Sequence, residues 1–131
     1  MKKLSFFIAL LALSTNAFVA CHKHDHDEDD TQAPGLTISS PAAAALLSGE
    51  VHISGSVTDE SLHEMSIKVT RDSDGAELFS ANPTVHDKTS YNFDEHWTPA
   101  SISAETAVTL TIHVEDHSAN ETEKTVKFSV K

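Results

Sequence analysis

The chain has 131 residues, with 20 acidic against 9 basic side chains and a formal net charge of −11. Phosphate recognition depends on Lys and Arg neutralising charge, so this balance excludes nucleic acid as a partner and argues against binding to anionic lipid head groups. A chain of this length carries one ordinary domain with room for a single core.

At the amino terminus, Lys2 and Lys3 precede an apolar run over residues 4–13, followed by Ser14, Thr15, Asn16 and Ala17. Charge, apolar stretch and small residues in that order predict a signal peptide. The run falls short of the roughly 20 apolar residues that a membrane-spanning helix needs, so a permanent transmembrane anchor is not expected. Phe18-Val19-Ala20-Cys21 resembles the bacterial lipobox, with Phe18 where Leu is usual. The resemblance implies cleavage after a signal peptide of residues 1–20 and lipidation of Cys21. Cys21 is the only cysteine, which leaves no intramolecular disulfide to form. A diacylglycerol plus an amide-linked acyl chain exceeds the two hydrophobic signals that stable anchoring takes, so the expected partner is a membrane, held through the lipid.

Residues 22–30 read His22-Lys23-His24-Asp25-His26-Asp27-Glu28-Asp29-Asp30 and include nothing apolar. Such a segment cannot bury enough surface to offset chain entropy, and residues 21–35 are expected to form a disordered, solvated tether. An acidic run just behind the cysteine resembles the signal that sends lipoproteins of Bacteroidota-type bacteria to the outer face of the outer membrane. Cell-surface display is therefore expected, with a periplasm-facing location as the alternative. Losing Lys2 and Lys3 with the leader moves the charge to −13, and the five acids and one lysine of the tether leave −9 on residues 31–131.

From Leu36 onward apolar residues alternate in period two, with breaks every 8 to 12 residues, the spacing of an all-β sandwich over residues 36–131. A first strand at 36–40 is closed by Pro41, and the Ala-rich 42–47 leads to a turn at Ser48-Gly49 as an irregular connection. The next strand, 51–57, turns Val51, Ile53 and Val57 to one face and His52, Ser54 and Ser56 to the other. Met65, Ile67 and Val69 mark a strand at 65–70, and Asp72-Ser73-Asp74-Gly75 predicts a tight turn into a short partner at 77–80. Tyr91, Phe93 and Trp97 share one side of a strand at 90–97, which marks them as core and not a sugar-stacking platform. The clearest strand alternates Val108, Leu110, Ile112 and Val114 with Thr109, Thr111, His113 and Glu115. Val126, Phe128 and Val130 define the last, at 125–131. Seven strands joined by short loops predict an immunoglobulin-like β-sandwich without a disulfide.

Three stretches resemble bacterial immunoglobulin-like domains: Leu36-Thr37-Ile38-Ser39-Ser40-Pro41, then Ser48-Gly49-Glu50-Val51-His52-Ile53-Ser54-Gly55 with Val57-Thr58-Asp59, and Val114-Glu115-Asp116-His117-Ser118-Ala119-Asn120. The last is similar to the V-x-D-x-x-G-N corner that precedes the final strand of such modules. Ala119 stands where Gly is usual, which argues against a left-handed backbone there. With its leader and acidic tether, the chain resembles the small Bacteroidota lipoproteins that carry the domain of unknown function DUF4625. That resemblance implies the fold and leaves function to the residues.

Catalytic templates are missing. There is no Gly-x-Ser-x-Gly, and His63-Glu64 lacks the second histidine of a zinc-protease helix. A sandwich of this size has little room for the cleft a glycosidase carboxylate pair needs. The expectation is a non-enzymatic protein.

Histidine is the anomaly. All nine lie beyond residue 21, and imidazole is a common ligand of zinc, copper and nickel. His22, His24 and His26 alternate, so an extended tether points them the same way about 7 Å apart. They can close on one ion with Asp25 or Asp27, at an ordering cost of roughly 1–2 kcal/mol per residue that implies modest affinity. The alternative is a solvated export signal that contains histidines incidentally. In an immunoglobulin-like topology, three loops meet at one pole. They hold Asp59, Glu60 and His63; His86 and Asp87; and Asp116 and His117. Such a set suits a divalent cation, and the alternative is three polar loops on an acidic protein. His113 and His117 lie about 13 Å apart along a strand and are not expected to share an ion. His52 and His96 fall on outward positions as solvated surface residues.

The leading expectation is a surface lipoprotein that binds a divalent transition metal, zinc foremost, through neutral imidazoles with carboxylate help. Such binding weakens as pH falls below about 6.5. The alternative is an adhesion or assembly module that presents loops or an edge strand to a surface glycan or protein. A passive role beside an outer-membrane transporter also fits the sequence.

Overall fold

A computed structural model of the chain describes residues 30–131. Cys21, His22, His24, Asp25, His26 and Asp27 lie outside the described residues. Eight strands follow in order: β1 (Gly35–Ser40), β2 (Leu46–Leu47), β3 (Val51–Thr58), β4 (Leu62–Arg71), β5 (Glu77–Ala81), β6 (Ser90–Trp97), β7 (Thr106–Asp116) and β8 (Glu121–Val130). They form a three-stranded sheet in the order β1-β3-β6 and a five-stranded sheet in the order β2-β8-β7-β4-β5. Every neighbouring pair is antiparallel except β2 with β8. This is the immunoglobulin-like sandwich that the alternation predicts. No helix among the described residues is long and apolar enough to cross a membrane.

Alternation places the core. Val108, Leu110, Ile112 and Val114 of β7 and Ile67 and Val69 of β4 are fully buried, and they share one cluster with Val51, Ile53 and Val57 of β3. Each such side chain contributes about 1.5–3 kcal/mol on leaving water, so this layer is the main source of stability. Phe93 and Trp97 join the cluster and Tyr91 packs against it, as their inward period requires.

The eighth strand is the addition. Residues 46–47 run parallel to the end of β8, where Ser129 N–H donates to Ala45 O at 2.8 Å and Lys131 N–H to Leu47 O at 3.0 Å. The connection after Pro41 thus covers the open edge of β8, with Ala44 N–H donating to Lys127 O as well. β8 also begins earlier than its apolar pattern suggests. Glu121 to Lys124 carry no apolar signal, yet they continue the ladder to β7 as far as Glu115 opposite Glu121.

The corner between β7 and β8 departs from expectation in one respect. Ala119 takes a left-handed conformation with φ at 62°, despite the Cβ that disfavours it. Asp116 enforces this. Its Oδ1 accepts from the backbone N–H groups of Ser118 (2.7 Å) and Asn120 (2.9 Å), and its Oδ2 from Asn120 Nδ2 (2.7 Å). Asn120 Nδ2 also donates to Asp30 O at 2.9 Å, and Thr122 Oγ1 to Pro34 O at 2.6 Å. These two bonds fasten the incoming chain to the corner.

Candidate metal centre

Three connections are sewn together by their backbones at one end of the sandwich. Leu62 N–H donates to Lys88 O at 2.9 Å and Leu62 O accepts from Asp87 N–H at 2.9 Å, which pins the loop before β6 to the start of β4. His117 N–H donates to Ser61 O at 3.1 Å, pinning the β7–β8 corner to the same point. The histidine of each connection lies within two residues of one of these bonds, so convergence of the side chains follows from the main chain.

His63 owes its direction to a bulge. Leu62 faces Asp116 and Glu64 faces Glu115, which leaves His63 as the extra residue of β4 with no partner on β7. A bulge re-aims the side chain it carries, here out of the alternation of β4 and toward the loops. Asp87 sits at φ 61° in the turn that follows His86, a conformation Asp tolerates better than most residues.

The result is a cluster of three imidazoles. Ring centroids lie 5.3 Å apart for His63 and His86, 4.8 Å for His63 and His117, and 4.6 Å for His86 and His117. One ligand nitrogen from each lies within 4.8 Å of the others. Tetrahedral zinc with Zn–N near 2.0–2.1 Å sets its ligand atoms about 3.4 Å apart. The exposed side chains of His86 and His117 have room to close that difference. The Asp87 carboxylate reaches both, with Oδ1 2.9 Å from His117 Nε2 and Oδ2 3.6 Å from His86 Nε2. Outer carboxylates in this position fix the tautomer and orientation of ligating imidazoles. Nδ1 of His63 is buried and has no hydrogen-bond partner among the described residues. A groove of about 320 Å³ bordered by His63, Thr84 and His86 runs alongside.

The remaining residues singled out in the sequence lie elsewhere. Asp116 does not join the imidazoles, because it is 1% exposed and both its oxygens are spent on the corner. Burial works to raise its pKa, but the hydrogen bonds from Asn120 and Ser118 outweigh burial and hold it below the usual carboxylate value. Asp30 and Asp59 gather beside it and make this end of the molecule more attractive to cations. His113 pairs with Glu121 across the β7–β8 ladder at 3.4 Å and is not among the residues of the cluster.

Sequence reasoning placed His52 and His96 on the surface correctly and missed that they face each other. They are direct partners in the β3–β6 ladder, with ring centroids 4.1 Å apart. Only the register of the two strands reveals this, and the apolar alternation fixes which face they occupy without fixing that register.

Fold and cluster together define a single immunoglobulin-like sandwich with a solvent-facing trihistidine pole. No protein-family model matches the chain, and no curated protein matches it in sequence. Among solved structures, the crystal structure of an engineered protein is similar, with a TM-score of 0.55 and 18% identity over 75% of this chain and 20% of that chain. The likeness shows the fold alone. This chain spans about one fifth of that protein's length.

Proposed function

We propose that this protein is a non-enzymatic lipoprotein that binds a divalent transition metal, zinc foremost, at His63, His86 and His117 with Asp87 in support. The observation that carries the reading is the convergence of three imidazoles from three separate connections, with ligand nitrogens within 4.8 Å of one another. Three nitrogen ligands with an adjacent carboxylate form a set that suits zinc, copper or nickel and disfavours calcium or magnesium, which take oxygen. The unpartnered Nδ1 of His63 supports it further. A buried nitrogen without a partner costs about 1–3 kcal/mol, which ligation at that nitrogen removes.

In this reading Cys21 carries the lipid, the protein faces outward from the outer membrane, and His22, His24 and His26 with Asp25 and Asp27 collect metal on the tether at lower affinity. A transporter in the same membrane is the fitting recipient. Calorimetric titration of zinc chloride into the mature chain, with and without residues 22–30, tests the proposal. Heat and a rise in melting temperature are expected in both, and His63→Ala with His117→Ala lowers the zinc stoichiometry of the shorter form by about one. A lack of zinc-dependent heat and of any melting shift in both forms sinks it, and partner binding that survives a chelator points instead to adhesion.

A further inference from the structure

The outer face of the three-stranded sheet carries a second histidine constellation, separate from the trihistidine pole. His52 and His96 stand directly opposite each other in the β3–β6 ladder, their rings 4.1 Å apart and tilted by 55°. Glu50 Oε1 lies 3.2 Å from Nε2 of His52 and 3.2 Å from Nδ1 of His96. On the other side, Asp94 Oδ1 lies 3.5 Å from Nδ1 of His52 and Oδ2 lies 3.7 Å from Nε2 of His96. Each imidazole is thus bracketed by a carboxylate at both of its nitrogens.

Local structure accounts for the grouping. His96 and Asp94 are two apart on β6 and therefore share its outward face, while Ser54, two residues from His52 on β3, is the partner of Asp94. Asp94 is then diagonal to His52, within side-chain reach across an antiparallel pair. Glu50 precedes β3 immediately after the turn at Gly49 (φ 76°) and folds back over the pair.

We infer that Glu50, His52, His96 and Asp94 form a second binding site for a divalent transition cation. The two carboxylates supply oxygen donors and the two rings supply nitrogen donors around one point. One divalent cation offsets the carboxylate charge while ligating both rings. Ligand atoms of Glu50, His52 and His96 already lie within 4.8 Å of one another, and nitrogen with carboxylate donors selects zinc, copper or nickel over magnesium. The donors stand on or next to paired strands, so they need less ordering than a solvated tether does. His52 lies six residues from Thr58, the end of β3 that leads toward His63. That spacing is about 20 Å of strand, too far for the two centres to share an ion.

The test is independent of the first centre. Zinc is measured by equilibrium dialysis on the mature chain carrying His22→Ala, His24→Ala, His26→Ala, His63→Ala, His86→Ala and His117→Ala. About one zinc per chain is expected to remain, and adding His52→Ala and His96→Ala is expected to remove it. Cobalt substitution provides a second readout, since visible d–d bands should appear in the first protein and vanish in the second. In the otherwise unaltered chain, His52→Ala with His96→Ala alone should lower the zinc stoichiometry by about one, which keeps the test open if the multiple variant fails to fold. Zinc content unchanged by removing His52 and His96 in the otherwise unaltered chain overturns the inference. A zinc stoichiometry unchanged by His63→Ala with His117→Ala, while the share held by His52 and His96 persists, overturns only the proposed function.

Discussion

Gly55 lies directly opposite Phe93 in the β3–β6 ladder, and the Phe93 ring occupies the space a side chain at position 55 would need. A Cβ placed there would stand 2.6 Å from Phe93 Cζ and would collide with the carbonyl oxygen of Thr37 on β1. The missing side chain lets β1 and the Phe93 ring both close on the central strand of the smaller sheet.

Gly55→Ala is therefore expected to cost about 2–4 kcal/mol, because relief requires moving backbone as well as a buried ring. Urea unfolding monitored by Trp97 fluorescence checks this. A midpoint equal to that of the parent chain would contradict the packing described.

Ala119 offers the opposite case. Its left-handed φ of 62° costs an L-residue about 1–2 kcal/mol, and glycine avoids that cost at some loss of chain entropy. Ala119→Gly should stabilise the fold by about 0.5–1 kcal/mol, visible as a rise in melting temperature. A destabilised variant would show that the corner does not hold this conformation in solution.

Asp116→Asn replaces one accepting oxygen with a donor facing other donors, and is expected to cost about 1.5–3 kcal/mol at neutral pH. The folded carboxyl is held below its usual pKa against the effect of burial, by hydrogen bonds from Asn120 and Ser118. Its contribution is therefore complete above about pH 4 and is lost as pH falls below that. Stability curves of parent and variant should converge toward acid pH, and a constant gap down to pH 2 would refute the assignment.

Asp87→Asn should weaken zinc binding by about 10- to 100-fold while leaving the metal-free melting temperature unchanged, as expected for a carboxylate that orients ligating imidazoles. Competition titration against a chromophoric chelator measures it. Affinity should also fall as pH is lowered, because protons compete for the imidazole nitrogens.

Glu50→Gln should lower the NMR titration midpoint of His96 in the metal-free chain. The hydrogen bond that the His96 ring donates to Glu50 raises that pKa, with the charges of Glu50 and Asp94 adding to it and partial burial opposing it. Any stability the pair lends is present below about pH 6.5 and disappears as pH rises through the raised midpoint. An unmoved midpoint would mean that Glu50 does not sit over the ring.

Much of the sandwich is legible in period-two alternation, because each buried face writes its apolar residues at fixed intervals. Val108, Leu110, Ile112 and Val114 needed no further information. Strand ends were harder. Residues 62–64 read as loop because the bulge at His63 breaks the alternation, and residues 121–124 read as loop because both faces there are polar. The site divides in the same way. Topology was enough to send His63, His86 and His117 to one end, but their approach depends on the Leu62, Asp87 and Ser61 backbone bonds, which have no sequence signature. Asp116 stands apart from the imidazoles, which the sequence does not reveal, because a carboxylate beside His117 looks the same in sequence whether it faces solvent or caps a buried corner.

The bonds from Asn120 to Asp30 and from Thr122 to Pro34 have a consequence for orientation. They bring the amino-terminal segment into the domain at the corner that also carries His117. Asp30 is nine residues from Cys21, a span of at most about 30 Å even when fully drawn out. With lipid on Cys21, the trihistidine end would be the proximal pole of the particle, hovering within that radius of the bilayer. The His52 and His96 pair, about 20 Å farther along β3, would stand farther from it. Under the proposed anchoring the two histidine centres would thus sit at different heights above the membrane.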